Sequence, residues 1–159
     1  MLLNRQVSIL VLGRIDDEIS KESLKSLIDH QSSKTYKVEY KGWVDNDEKD
    51  KLIPNCGSFL YPSHYDNFPT VVNEALAYGL PVVTWEVPFS RINYSNISSV
   101  KISTLFDSDI FSKLAVESLA DRDILIKESL KYLNNLPEIK EVVANDLSIY
   151  NSIINRTDE

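Results

Sequence analysis

The sequence predicts an α/β fold: a three-layer α/β/α domain on one parallel sheet, continued by a helical tail. Two observations carry this. Short segments of strand length (Val7–Leu12, Val38–Lys41, Phe59–Tyr61, Val82–Thr84 and Val100–Ser103) alternate with segments whose apolar residues recur at helical spacing. Such alternation makes strand–helix–strand units, whose strands run parallel because the helix carries the chain back to the starting end. The second observation is VSILVL itself, a near-continuous apolar run of the kind found in strands covered on both faces.

Each element has its own signal. Gly13 bounds the first strand, and Asp16 and Asp17 are candidate caps for a helix striped by Ile19, Leu24, Leu27 and Ile28. His30 falls at the end of that helix, where an imidazole meets the negative end of the dipole. Ser32–Thr35 is a polar break, and Val38–Lys41 leads to Gly42, Trp43 and Val44. Asp45 caps a short acidic helix, Asn46–Leu52, which Pro54 ends. Phe59–Tyr61 is a strand and Pro62–Pro69 a polar loop. Thr70–Tyr78 is a helix that Pro69 leads into and Thr70 can cap, followed by a Gly79 turn and the strand Val82–Thr84. Trp85–Asn96 reads as an aromatic-rich loop. From Asp107 the pattern is helical, with Pro137 setting off a last helix whose Leu147, Tyr150 and Ile154 stripe reads as core. The expectation is one domain over residues 1–159, with 105–159 as its helical tail.

Composition narrows the function. At 159 residues and 43% hydrophobic content the chain suits one domain with a sizeable core. The net charge of −7 argues against nucleic acid or an anionic membrane as partner, and leaves any anionic ligand to local positive groups. No apolar run reaches the about 20 residues of a membrane span. The start MLLNRQVSILVLG lacks the layout of a signal peptide, because Arg5 interrupts it. Cys56 is the single cysteine, which excludes an internal disulfide or a cysteine zinc site and fits a reducing, cytoplasmic setting; it reads as a small buried hydrophobe.

The strongest functional signal lies in FLYPSHYDNFPTVVNEALAYGLPVVT. Ligands of open parallel sheets bind beyond the carboxyl ends of the strands. The loop Pro62–Pro69 runs there into a helix start at Thr70–Val72, where unpaired N–H groups and the helix dipole favour an anion. Asp66 and Glu74 flank that start with seven residues between them. A carboxylate at Glu74 offers the acceptor pair that suits a vicinal diol such as a ribose, and Asp66 can accept from sugar hydroxyls. Phosphate at the helix, ribose on one side and hexose on the other describe a nucleotide-sugar. Spacing alone leaves open the plainer reading, in which Thr70 and Glu74 cap a helix and Asp66 shapes a turn.

DNFPTVVNEALAYGLPVV resembles the signature of retaining GT-B glycosyltransferases of the family 4 type, the glycosyl transferases of group 1. In that signature an acid and a Phe-Pro loop lead, after seven spacers, to Glu-Ala and then Gly-x-Pro-Val-Val. Tyr61-Pro62-Ser63 and Lys41-Gly42-Trp43-Val44 resemble the same family in the same order, and the likeness runs from about Val7 to Arg91. Two positions depart from it: Asp66 replaces the usual Glu, and Asn67 replaces the commoner Gly, with Asn able to take a left-handed backbone. The resemblance implies one Rossmann-like half of a GT-B fold. It implies that Asp66 contacts the donor sugar, with Asn67, Phe68, Pro69 and Thr70 forming the loop around sugar and diphosphate. Val71 would add an N–H, Glu74 would bind the ribose, and Gly42, Trp43 and Val44 would border the base. Trp43 equally suits packing. His64 sits in the sugar loop and suits either a sugar hydroxyl or solvent; Arg91 suits either phosphate or a surface ion pair. The resemblance implies a nucleoside diphosphate sugar as donor substrate, with no cofactor and no metal.

Family members carry a Gly-Arg…Lys phosphate clamp after their first strand. Gly13-Arg14 looks like its start and makes Arg14 a candidate, but the interval from Gly13 to Gly42 matches the family's second-to-third-strand spacing, and Lys21 is displaced from the paired Lys. The expectation is therefore that Val7–Leu12 is the second strand of the family's domain and that the first is not represented. The resemblance therefore implies a donor-binding module that is part of a retaining hexosyltransferase, moving a hexose from the nucleoside diphosphate sugar to a hydroxyl acceptor in surface-glycan assembly, with an acceptor-domain partner chain and peripheral membrane association through a missing domain or that partner; a non-catalytic binding subunit or a degenerate module is the alternative.

Overall fold

The computed structural model describes residues 7–31 and 36–155. β1 (Val7–Leu12), α1 (Glu18–Gln31) and β2 (Tyr36–Gly42) form one strand–helix–strand unit, with β1 and β2 paired in parallel from Val7 opposite Tyr36 to Val11 opposite Tyr40. The register slips by one residue before Leu12 meets Gly42, whose φ of 73° suits glycine alone without strain. Asp17 caps α1 by accepting from Ser20 N–H at 2.7 Å. The His30 side chain lies outside the described side chains.

α2 (Asn46–Leu52) begins on Asp45, whose carboxylate accepts from Glu48 N–H at 2.8 Å, and runs into a single 3-10 turn at Ile53–Asn55. Pro54 thus sits inside that turn, at a position needing no N–H, and does not end the helix abruptly. β3 (Phe59–Tyr61), α3 (Thr70–Ala77), β4 (Val82–Trp85), α4 (Pro88–Tyr94) and β5 (Val100–Ser103) follow, with β4 between β3 and β5 in a parallel three-stranded sheet. α3 ends in a Schellman closure: Leu80 N–H bonds to Ala75 O and Gly79 N–H to Leu76 O, both at 2.9 Å, with Gly79 at φ 77°. This closure turns the chain tightly into β4, explaining the Gly-Leu-Pro run.

The aromatic stretch expected as a loop is largely α4. Pro88 opens it at a position that needs no N–H, and Ser90 Oγ accepts from Val87 N–H while donating to Trp85 O at 2.7 Å, so local bonds hold the turn. α5 (Ser108–Ala120), α6 (Arg122–Asn134) and α7 (Ile139–Ile154) complete the order.

The core gathers around β4, all four residues of which are buried, with Val72, Ala75 and Leu76 of α3, Phe89 and Tyr94 of α4, and Phe111 of α5. Each large apolar side chain buried there contributes about 1.5–3 kcal/mol by leaving water. Burial is unequal along the chain. β1 leaves Ser8 and Ile9 exposed, so its expected burial on both faces is not realised, and α1 exposes Ile19 and Leu27 of its stripe. The strands form two sheets, β1–β2 and β3–β4–β5, and no described strand joins β1 to β3. α7 carries no buried residue, and Leu147, Tyr150 and Ile154 stay 56–64% exposed, so the stripe expected as core faces outward.

Candidate functional site

The residues singled out by sequence fall into two groups at the carboxyl ends of the strands. The first surrounds the turns after β1 and β2. Gly13 N–H bonds to Gly42 O at 2.8 Å and Tyr40 Oη donates to Gly13 O at 2.9 Å, tying the two turns together. Arg14 then lies over the Trp43 ring, 5.8 Å from its centroid, and Trp43 remains 62% exposed. Val44 is buried, so only its backbone is available to a ligand. Lys21 is bound to Glu18 at 2.7 Å on its own helix, a local pairing that raises its pKa.

The second group is the loop after β3 and the start of α3. Asp66 uses both oxygens internally: Oδ2 accepts from Tyr61 Oη at 2.5 Å and Oδ1 accepts from Phe68 N–H at 2.9 Å. The first bond ties the loop to the strand it left, and the second closes an Asx-type turn. Burial, then the bond to Asp66, raises the Tyr61 pKa and keeps its hydroxyl a donor. Trp85 Nε1 donates to Pro62 O at 3.0 Å from β4, Phe68 meets Phe89 edge to face at 5.8 Å, and the His64 ring lies 5.8 Å from Phe106. The loop is thereby held from four sides. Behind it, Tyr94 Oη donates to Asn73 Oδ1 at 3.0 Å, and burial pushes the Tyr94 pKa up to about 12.

Two expectations for this loop change. Pro69, not Thr70, occupies the N-cap position of α3, and no side chain caps the helix; Thr70 is its first helical residue. Proline has no side-chain acceptor, so the helix start is left open apart from the bond of Val72 N–H to Pro69 O at 3.1 Å. Asn67 does not use a left-handed backbone: among the described non-glycine residues only Phe106 has positive φ. Asn67, Phe68, Thr70 and Val71 are exposed, while Pro69 is buried.

Glu74 lies one turn into α3 on the Thr70 face and is exposed, yet not alone: Lys49 Nζ of α2 donates to its Oε2 at 3.0 Å. One residue on, Asp50 accepts from Tyr78 Oη, which raises the Tyr78 pKa. Sequence reasoning missed both contacts, since a separation of 25 residues between Lys49 and Glu74 leaves no periodic signal. Arg91 pairs with Glu86 at 3.5 Å beside a cleft lined by Ser95, Ile102 and Thr104, so of its two expected roles the structure displays the ion pair. Cys56 is half-buried, and burial raises its thiol pKa. Among the described residues no three His, Cys, Asp or Glu side chains converge as a metal site.

Residues 2–91, which hold both groups up to Arg91, match a family model, Glycosyl transferases group 1. The chain belongs to that family. Two solved glycosyltransferase structures are similar to this chain to different degrees. The apo form of the lipopolysaccharide outer core galactosyltransferase WaaB matches with a TM-score of 0.52 and 16% identity, over 83% of this chain and 49% of that one. The catalytic domain of cholesterol-α-glucosyltransferase from Helicobacter pylori matches with a TM-score of 0.47 and 15% identity, over 79% of this chain and 98% of that one. The WaaB likeness establishes a GT-B Rossmann-like fold for this group 1 chain, which spans about half of WaaB's length. No curated protein matches.

Proposed function

We propose that this group 1 chain is the donor-binding module of a retaining hexosyltransferase, which moves a hexose from a nucleoside diphosphate sugar to a hydroxyl acceptor in surface polysaccharide or glycolipid assembly. The observation that carries the reading is the open start of α3 between two acidic side chains, Asp66 in a braced loop and Glu74 on the helix. The diphosphate meets the N–H groups of Thr70 and Val71, where partial positive charge is concentrated. Glu74 accepts from the ribose and Asp66 from the hexose; each Asp66 oxygen keeps a lone pair beyond its internal bond. Trp43 with Arg14 over its face, Gly42 and the Val44 backbone border the base.

In such a module the leaving phosphate takes the acceptor proton on the face it departs from. The β-phosphate–sugar bond breaks, the acceptor oxygen bonds the same carbon on the same face, and no side chain here serves as nucleophile. The donor is bound without a resident metal. The acceptor side comes from a partner chain or domain, which also brings the module to the cytoplasmic face of a membrane; no described helix is long and apolar enough to cross one.

Calorimetry with UDP- and GDP-hexoses, with and without EDTA, tests the donor site, and a transfer assay with the acceptor domain present tests activity. Asp66→Ala and Glu74→Ala are each expected to weaken binding or transfer. Unchanged binding and transfer in both variants would show the assignment to be wrong. A binding-only subunit is the second reading; it requires donor binding by the isolated chain with transfer only after a partner is added.

A further inference from the structure

The contact that spacing did not reveal, Lys49 to Glu74, adds a residue to the ribose end of this site. Lys49 is no swinging surface lysine: its side chain is 24% exposed, against 45% for Glu74, and its ammonium ends on one oxygen, Oε2, at 3.0 Å. α2 is pinned to α3 one turn further on, where Tyr78 Oη donates to Asp50 Oδ1. Successive residues of α2 thus meet Glu74 within α3 and Tyr78 at its C-cap, so the ammonium has a defined origin as well as a defined end. Among the described residues it is also the one cation that touches either acid of the site.

A lone carboxylate presents only acceptors, whereas a carboxylate with an ammonium on one oxygen presents an acceptor beside a donor. We propose that Lys49 is a ribose-site residue: it fixes the Glu74 carboxylate and donates to one ribose hydroxyl while Glu74 Oε1 accepts from its neighbour. This rests on the donor-site reading above and adds a binding and specificity residue to it. A vicinal diol has both functions on adjacent carbons and satisfies the pair completely; a sugar lacking both hydroxyls satisfies neither half. Hydrogen bonds to charged groups are the strong class, so the preference for the diol is expected to reach about ten-fold or more.

The test compares UDP and GDP with their 2′,3′-dideoxy counterparts by calorimetry on the wild-type chain and on Lys49→Met, whose unbranched stem keeps the packing. The wild type is expected to prefer the ribonucleotides, and Lys49→Met to lose most of that preference through weaker ribonucleotide binding, with dideoxynucleotide affinity unchanged. The ratio is the informative quantity, because a purely structural disturbance of α2 weakens both ligands alike and leaves the ratio where it was; that result overturns the inference and leaves the donor site standing. A preference that grows in Lys49→Met also overturns it, since Lys49 would then mask Glu74. Wild type that binds UDP or GDP without preferring the diol removes the ribose role of Glu74 and Lys49 together. Wild type that binds neither nucleotide refutes the donor-site reading itself, and this proposal with it. Should Lys49→Met fail to fold by circular dichroism, Lys49→Gln, neutral and of similar length, is read by the same ratio.

Discussion

Tyr61→Phe removes one hydroxyl and leaves the ring in place. In the fold that hydroxyl donates to Asp66 Oδ2 at 2.5 Å and is half-buried. Hydrogen bonds to a charged acceptor contribute about 1.5–3 kcal/mol net. The Asp66 carboxylate keeps the Phe68 N–H at 2.9 Å and some access to water, which replaces part of the loss. The expected cost is therefore at or just below the bottom of that range, about 1–1.5 kcal/mol. Urea unfolding at neutral pH measures it as a fall in midpoint at unchanged slope, since the compactness of both states stays the same. Amide exchange adds a local readout. The Phe68 amide should remain protected in Tyr61→Phe, because Oδ1 still accepts from it, and lose protection in Asp66→Ala. Tyr61→Phe within about 0.3 kcal/mol of wild type, below the contribution of any ordinary hydrogen bond, together with an unchanged Phe68 amide in Asp66→Ala, would refute the idea that Asp66 braces the loop.

Four further outcomes follow from the same structure. Leu76→Ala empties a fully buried position in α3 and is expected to cost about 2–5 kcal/mol by denaturant titration. Gly79→Ala is expected to cost about 1–2 kcal/mol, from the left-handed backbone at φ 77° and a new Cβ at 3.4 Å from Ile126 Cγ2. Ser99→Ala should raise stability by about 1 kcal/mol, because its buried Oγ has no partner among the described residues. Tyr94, with a pKa raised from 10.0 to about 12, holds a proton in the fold that the unfolded chain releases. Its contribution is complete below pH 10 and is lost as pH rises through about 12, so Tyr94→Phe should flatten the fall in melting temperature across that window.

Local chemistry made much of the fold legible. Asp45 and Asp107 cap helices by accepting N–H groups three residues on, a pattern that needs only neighbours in sequence. Gly79-Leu80-Pro81 and the apolar runs near it placed α3, β4 and β5 within a residue or so. α4 was not legible, because its turn depends on Ser90 bonding back to Trp85 and Val87, while its aromatic composition suits a loop as well as a buried helix. Burial was misjudged at Val7–Leu12 and in the α7 stripe: both are apolar enough for a core, yet among the described residues β1 pairs only with β2 and α7 buries no side chain. In the site, Asp66, Thr70 and Glu74 were legible as a spaced set; Tyr61 and Lys49, which bond the two acids, were not, nor was Trp85, which braces the loop through Pro62.

By itself the sequence determined the order of the elements apart from α4, the carboxylates seven residues apart and the family to which they belong, because periodicity, capping and motif spacing are properties of neighbouring residues. Only the tertiary structure decided what each carboxylate touches. Asp66 is committed to Tyr61 and Phe68, and Glu74 shares an oxygen with Lys49. It also decided that the strands stand in two sheets. Contacts between segments far apart in the chain arise from packing, and packing leaves no period in a single sequence.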